Sequence, residues 1–132
     1  MAAKAIHTMI RVLDLDRSMA FYREAFGLEL IDRFDFDDFT LAYLRNAESA
    51  FEIELTWNHD QKEPYGHGSG YGHLAVVVDD LEATHARFER AGLAPRKLVT
   101  MEHGGEPLAR IFFVADPDGY AIEVIERGGR FR

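Results

Sequence analysis

The sequence contains no cysteine. That excludes a disulfide framework, a cysteine-ligated zinc and a thiol nucleophile. It also has no apolar run near the roughly 18 residues that a membrane span needs. Behind its lysine, Met1-Ala2-Ala3-Lys4-Ala5 lacks the apolar stretch of a signal peptide, so a cytoplasmic location is expected. Positive charge is in the minority. Fifteen Lys and Arg stand against 23 Asp and Glu, a net charge of −8, which argues against nucleic-acid or anionic-membrane partners. An anionic ligand would need a few local Arg or Lys to hold it. Low-complexity sequence is confined to the short polar tail from Gly128 to Arg132. What is present is ordinary globular composition, 47% apolar and 29% charged over 132 residues. That is enough for one domain, or for two half-domains sharing a core.

The chain repeats itself. At an offset of 73 − 7 = 66 residues, His7 falls over His73, Ile10 over Val76, Val12 over Val78, Asp14 over Asp80 and Leu15 over Leu81. Ala20, Tyr22 and Ala25 then meet Ala86, Phe88 and Ala91, and each half reaches a glycine, Gly27 or Gly92. This marks a duplicated unit.

Each unit reads as strand, helix and three strands. Ile6 to Leu13 and Leu74 to Val78 are apolar and β-branched, as in buried strands. Asp14 or Asp16 caps a helix running to about Phe26, with Leu15, Met19, Tyr22 and Phe26 as its buried stripe and Gly27 as its stop. The second helix runs from a cap at Asp80 through Leu81, Thr84 and Phe88 to Gly92. Further strands are expected over Leu28 to Phe34, Phe39 to Leu44, Phe51 to Trp57, Arg96 to Met101, Arg110 to Ala115 and Tyr120 to Glu126. Asp116-Pro117-Asp118-Gly119 suits a type I turn. The fold class is therefore α+β, two βαβββ modules over about residues 5–57 and 71–126. The polar, glycine-rich stretch from Asn58 to Gly70 joins them. Such sheets, each covered by one helix, can pair around a concave metal site.

The repeat also carries chemistry. Each half opens its first strand with a histidine, His7 or His73, and carries a glutamate inside an apolar run in its last, Glu54 or Glu123. The separations, 54 − 7 = 47 and 123 − 73 = 50, make these equivalent places. A carboxylate in an apolar run is costly unless it is paired or metal-bound. Two neutral imidazoles with two carboxylates suit a borderline divalent ion such as Ni²⁺, Co²⁺, Mn²⁺ or Zn²⁺. The other histidines carry no such pattern: His59 and His67 fall in the linker, His85 on the second helix and His103 in a glycine-rich loop. Trp57, Phe34, Phe36, Phe39 and Phe113 read as core or dimer interface.

Taken together, His7-Thr8-Met9-Ile10-Arg11-Val12, Glu54-Leu55-Thr56-Trp57-Asn58, Gly70-Tyr71-Gly72-His73 and Asp116-Pro117-Asp118-Gly119-Tyr120 with Ile122-Glu123 resemble the short bacterial glyoxalase I family, or lactoylglutathione lyases. That family belongs to the vicinal oxygen chelate superfamily. The likeness runs from His7 to Glu126. It implies that His7, Glu54, His73 and Glu123 bind one divalent metal, Ni²⁺ or Co²⁺ ahead of Zn²⁺. It implies also that Arg11 and Asn58 hold glutathione, the co-substrate, and that the site lies at a homodimer interface with both chains contributing. One stretch departs from the family. Where its members have Lys-Gly-Gly before the penultimate strand, this chain has Glu102-His103-Gly104-Gly105. His103, Arg110 or Lys97 would have to take over contact with the thiol's carboxylate.

The reaction so implied converts the hemithioacetal of methylglyoxal and glutathione to S-lactoylglutathione through an enediolate, with Glu123 as base and Glu54 serving the mirror-image substrate. Other readings on the same fold are a paralogue or epimerase acting on another thiol or thioester, an extradiol-type dioxygenase, and a non-catalytic module that sequesters a small molecule or drug. Known epimerases usually have Gln at the place of Glu54, the dioxygenases use two His and one Glu, and the binding modules lack the ligand set.

Overall fold

The computed structural model describes residues 1–132, and they form two compact units, Met1–Gly66 and His67–Arg132. The first contains β1 (His7–Arg11), α1 (Leu15–Phe26), β2 (Glu29–Asp35), β3 (Phe39–Arg45) and β4 (Glu52–Asn58). The second repeats the order with β5 (Leu74–Val78), α2 (Leu81–Arg90), β6 (Val99–His103), β7 (Glu106–Ala115) and β8 (Ala121–Glu126). Each unit holds one mixed four-stranded sheet, ordered β1-β4-β3-β2 in the first and β5-β8-β7-β6 in the second. The first and last strands of each unit run parallel, and the remaining neighbours are antiparallel. No helix is long and apolar enough to cross a membrane.

Both helices begin at the expected aspartates. The Asp14 side chain accepts from the backbone N–H of Arg17, and Asp80 accepts from that of Ala83, each at 3.0 Å. These bonds satisfy amides that a helix start leaves without partners. Gly27, at φ 65°, ends α1 in the left-handed conformation. α2 stops one step earlier than read, at Arg90, with Ala91 still helical in its angles and Gly92 supplying the positive φ. The buried stripe of α1 also differs. It consists of Leu15, Ser18, Phe21, Tyr22 and Ala25, so Met19 and Phe26 flank it. Small Ser18 and Ala25 let the helix axis approach the sheet, and the larger side chains lie to either side.

Strand β3 alternates half-buried and buried residues, with Thr40, Ala42 and Leu44 on the covered face. They meet Ile53 and Leu55 of β4 beneath α1. In the second unit Phe88 of α2 stands edge-on to Phe112 of β7, ring centroids 5.6 Å apart, and both are fully buried. The other face of each sheet therefore carries the odd-numbered positions of β3 and β7.

Strand β7 begins four residues before the expected Arg110. Gly104 and Gly105 both have positive φ, 61° and 81°, which closes a two-residue hairpin and lets Glu106 pair with His103. His103 thus ends a strand rather than lying in a loop. At the other end of β7 the expected turn forms. The Gly119 N–H donates to the Asp116 carbonyl at 2.9 Å, and the Asp118 and Tyr120 amides both donate to Asp116 Oδ1 at 2.9 Å.

Candidate metal centre and active site

Register places the four expected ligands. In the first unit Met9 of β1 pairs with Glu54, and Glu54 pairs with Tyr43 of β3. Side chains two residues apart on a strand share a face, so His7, Arg11, Glu54, Thr56 and Asn58 all project from the face opposite α1. The His7 Nε2 lies 2.9 Å from Glu54 Oε1. In the second unit Ala75 of β5 pairs with Glu123, and Glu123 pairs with Phe113 of β7. Here the His73 Nε2 lies 3.4 Å from Glu123 Oε1.

These spacings suit ligands around a common cation. Donors about 2.1 Å from a divalent ion stand about 3.0 Å apart along an octahedral edge and about 3.4 Å apart along a tetrahedral one. Glu54 is only 9% exposed, and such burial disfavours a carboxylate without an electropositive partner. Within neither unit do three or more His, Asp or Glu gather within ligating reach. Each unit therefore presents one histidine beside one carboxylate, donor types that fit a divalent metal.

The rings behind the histidines repeat as well. His7 meets Tyr43 edge-on, centroids 5.6 Å apart at 74°, and His73 meets Phe113 at 5.4 Å and 79°. Phe113 is thus not a core residue: it stands on the Glu123 face and braces a histidine. Burial, with the Glu54 and Glu52 carboxylates beside it, raises the Tyr43 phenol above its ordinary value. Tyr43 was not among the residues singled out from the sequence. The repeat contained the signal, since Tyr43 precedes Glu54 by 54 − 43 = 11 residues and Phe113 precedes Glu123 by 123 − 113 = 10.

The expected thiol contacts are more scattered. Arg11 is exposed at the end of β1, beside Thr56 in the register. Asn58, at the end of β4, donates from Nδ2 to the Tyr65 hydroxyl at 3.2 Å. His103 is exposed at the end of β6. Lys97 is also exposed. Arg110 is committed elsewhere, to Glu82 of α2 at 2.7 Å and to Glu126 at 3.1 Å. That places it on the helix-covered side of its sheet, so it does not serve as the basic residue considered for the altered loop.

Two of the histidines set aside also have defined places. His59 bonds through Nε2 to Thr40 Oγ1 at 2.9 Å and through Nδ1 to the Asp37 carbonyl at 3.1 Å. His67 stacks on Tyr120 at 4.2 Å and 8°.

Duplicated βαβββ modules, each with a histidine–carboxylate pair on the sheet face opposite its helix, define the class of this protein. Over residues 4–124 the sequence matches the Glyoxalase/Bleomycin resistance protein/Dioxygenase superfamily, and the chain belongs to it. It is 43% identical over 125 residues to a lactoylglutathione lyase of Haemophilus influenzae, covering 92% of this chain and 90% of that protein. It is 40% identical over 129 residues to a lactoylglutathione lyase of Neisseria meningitidis, covering 94% and 91%. Among solved structures it resembles the trypanothione-dependent glyoxalase I of Leishmania major, with a TM-score of 0.76 and 34% identity over 95% of this chain and 87% of that one. Glyoxalase I from Zea mays superposes with a TM-score of 0.82 at 33% identity, over 96% of this chain and 45% of the maize chain.

Proposed function

We propose that this protein catalyses the lactoylglutathione lyase (glyoxalase I) reaction, converting the hemithioacetal of methylglyoxal and glutathione to S-lactoylglutathione and so detoxifying methylglyoxal. The observation that carries this reading is the pair of repeated His–Glu contacts, His7–Glu54 and His73–Glu123, on corresponding strands. The lactoylglutathione lyases similar to this chain along nearly its whole length support the choice of reaction. His7, Glu54, His73 and Glu123 would together hold one divalent ion, Ni²⁺ or Co²⁺ in preference to Zn²⁺, in a cytoplasmic homodimer whose interface contains the sites. When bound, the ion supplies Lewis-acid stabilisation of the negative charge that develops on the substrate oxygens.

The chain's own residues then have to move a proton. The hydrogen on the sulfur-bearing carbon leaves as a proton, the electron pair forms the enediolate, and the proton returns to the adjacent carbon. The hydroxyl proton passes to the former carbonyl oxygen, so the change is an isomerisation without an external oxidant. Glu123 is the base that takes and returns the carbon proton, and Glu54 serves the opposite enantiomer. Arg11, Asn58 and His103 hold the anionic thiol, and their local positive and donor character works against the chain's net charge of −8.

Glu123→Gln tests this assignment. The amide keeps an oxygen for the metal but cannot take a proton, so metal content should persist while turnover falls about 100-fold or more. Full activity in that variant would remove Glu123 as the base.

A further inference from the structure

Glycine takes every second place in the approach to β5, where Gly68, Gly70 and Gly72 alternate with His67, Ser69, Tyr71 and His73. No helix or strand covers these residues, and Gly68 turns through a positive φ of 64°. Glycine has more backbone freedom to lose on ordering than any other residue, so such a stretch does not hold itself in place. Yet it ends at His73, whose side chain is 41% exposed and therefore gets little support from packing around it.

The side chains between the glycines supply the missing hold. The turn after β7 fixes Tyr120 by its backbone: its N–H donates to Asp116 Oδ1 and its carbonyl accepts from the Asp116 N–H, both at 2.9 Å. The Tyr120 residue is 7% exposed. His67 lies flat on its ring, centroids 4.2 Å apart and planes 8° from parallel, and Tyr71 stands against the same ring at 5.1 Å and 62°. His67 also covers Gly119, where a Cβ would lie 3.6 Å from its Cε1. The His67 Nε2 is buried and has no hydrogen-bond partner in the protein. A buried nitrogen in that state is a cost rather than a tie, so what holds His67 there is the stacking of its ring.

We propose that His67 is a positioning residue for His73: stacked on Tyr120, it clasps the glycine-rich approach to β5 and fixes where the His73 imidazole can stand. This role presupposes His73 as a ligand of the metal site proposed above. A ligand whose approach is already ordered binds its ion without having to order it first. Loss of the clasp therefore shows as weaker binding and as altered geometry at the ion.

The test separates the ring from the nitrogen. His67→Ala removes the clasp, and His67→Phe keeps a ring that can stack while discarding the partnerless nitrogen. Affinity of the metal-free protein for Co²⁺ is read by competition with a chromophoric chelator, together with the visible absorption bands of bound Co²⁺. Both are recorded well below the Tm of each variant, so that a loss of stability alone does not move the bands. Groups that orient metal ligands commonly account for about 10–100-fold in affinity, so His67→Ala should bind Co²⁺ about 10-fold more weakly and shift the bands. His67→Phe should stay within about twofold of wild type, with the same bands, because the stacking that orients the ligand persists. Should His67→Ala not fold, His67→Leu, which keeps bulk without a flat ring, takes its place with the same expectation. Wild-type affinity and bands in the variant without a ring would overturn the proposal, as would a loss in His67→Phe equal to that in His67→Ala. A wild-type protein that binds no Co²⁺ would overturn the metal-site reading itself and this inference with it. A wild type that binds Co²⁺ but makes no S-lactoylglutathione would remove the proposed reaction alone, and the affinity comparison would still decide the role of His67.

Discussion

Replacing Asp116 by alanine should destabilise the second module more than its place in a turn suggests. Asp116 is 5% exposed, and its carboxylate accepts from two backbone amides, those of Asp118 and Tyr120, both at 2.9 Å. Alanine leaves both donors without that acceptor in a site with little access to water. Each such loss costs about 1–3 kcal/mol, and the part-buried Asp118 amide falls at the low end, so Asp116→Ala should lose about 2–4 kcal/mol. For a chain of this size about 1 kcal/mol corresponds to roughly 3–5 °C in Tm, which gives a fall of about 6–20 °C by calorimetry or circular dichroism. Asp116→Asn keeps an oxygen for both amides and loses only the charge, so its cost should be near 1 kcal/mol. The turn sets the β7–β8 register that puts Phe113 across from Glu123, so the alanine variant should also lose metal affinity. A Tm within about 2 °C of wild type for Asp116→Ala, or equal losses in the two variants, would refute this account of the turn.

Phe88→Ala removes a fully buried ring that meets Phe112 edge-on, and should cost about 3–5 kcal/mol in urea unfolding; a loss below about 1 kcal/mol would mean that the space closes over. Asp35 gives a pH dependence. Hydrogen bonds from Arg33 and Thr40 hold its carboxyl below the ordinary 3.8. Its contribution should therefore be complete above pH 3.8 and fade as the pH falls through the lower folded-state value. Tm of Asp35→Asn should lie below wild type at neutral pH and converge with it in acid, whereas a constant gap would contradict that linkage.

Much of the fold could be read from the chain because its signals are local. Asp14 and Asp80 are both the strong helix-capping type and the residues that cap. The four candidate ligands, His7, Glu54, His73 and Glu123, stand out because duplication puts them at equivalent places. Less legible were features decided by packing or pairing across the sheet. Met19 and Phe26 fit a helical spacing as well as Ser18 and Ala25 do, and closeness of the helix to the sheet decides between them. The early start of β7 depends on two left-handed glycines in succession, so a glycine-rich stretch read as a loop is a tight hairpin that puts His103 on a strand. Tyr43 could be found only by asking which residue lies across the ladder from Glu54, a question of register rather than of composition.

If the two His–Glu pairs hold a divalent ion that isomerisation of the hemithioacetal requires, turnover should depend on both the ion and the pairs. The most direct measurement is formation of S-lactoylglutathione from methylglyoxal and glutathione by the chelated protein, reloaded in parallel with Ni²⁺, Co²⁺, Mn²⁺ or Zn²⁺. Product should be absent without metal, appear with Ni²⁺ or Co²⁺, and be absent in His73→Ala under the same loading. Undiminished activity in His73→Ala, or in the chelated wild type, would contradict that dependence.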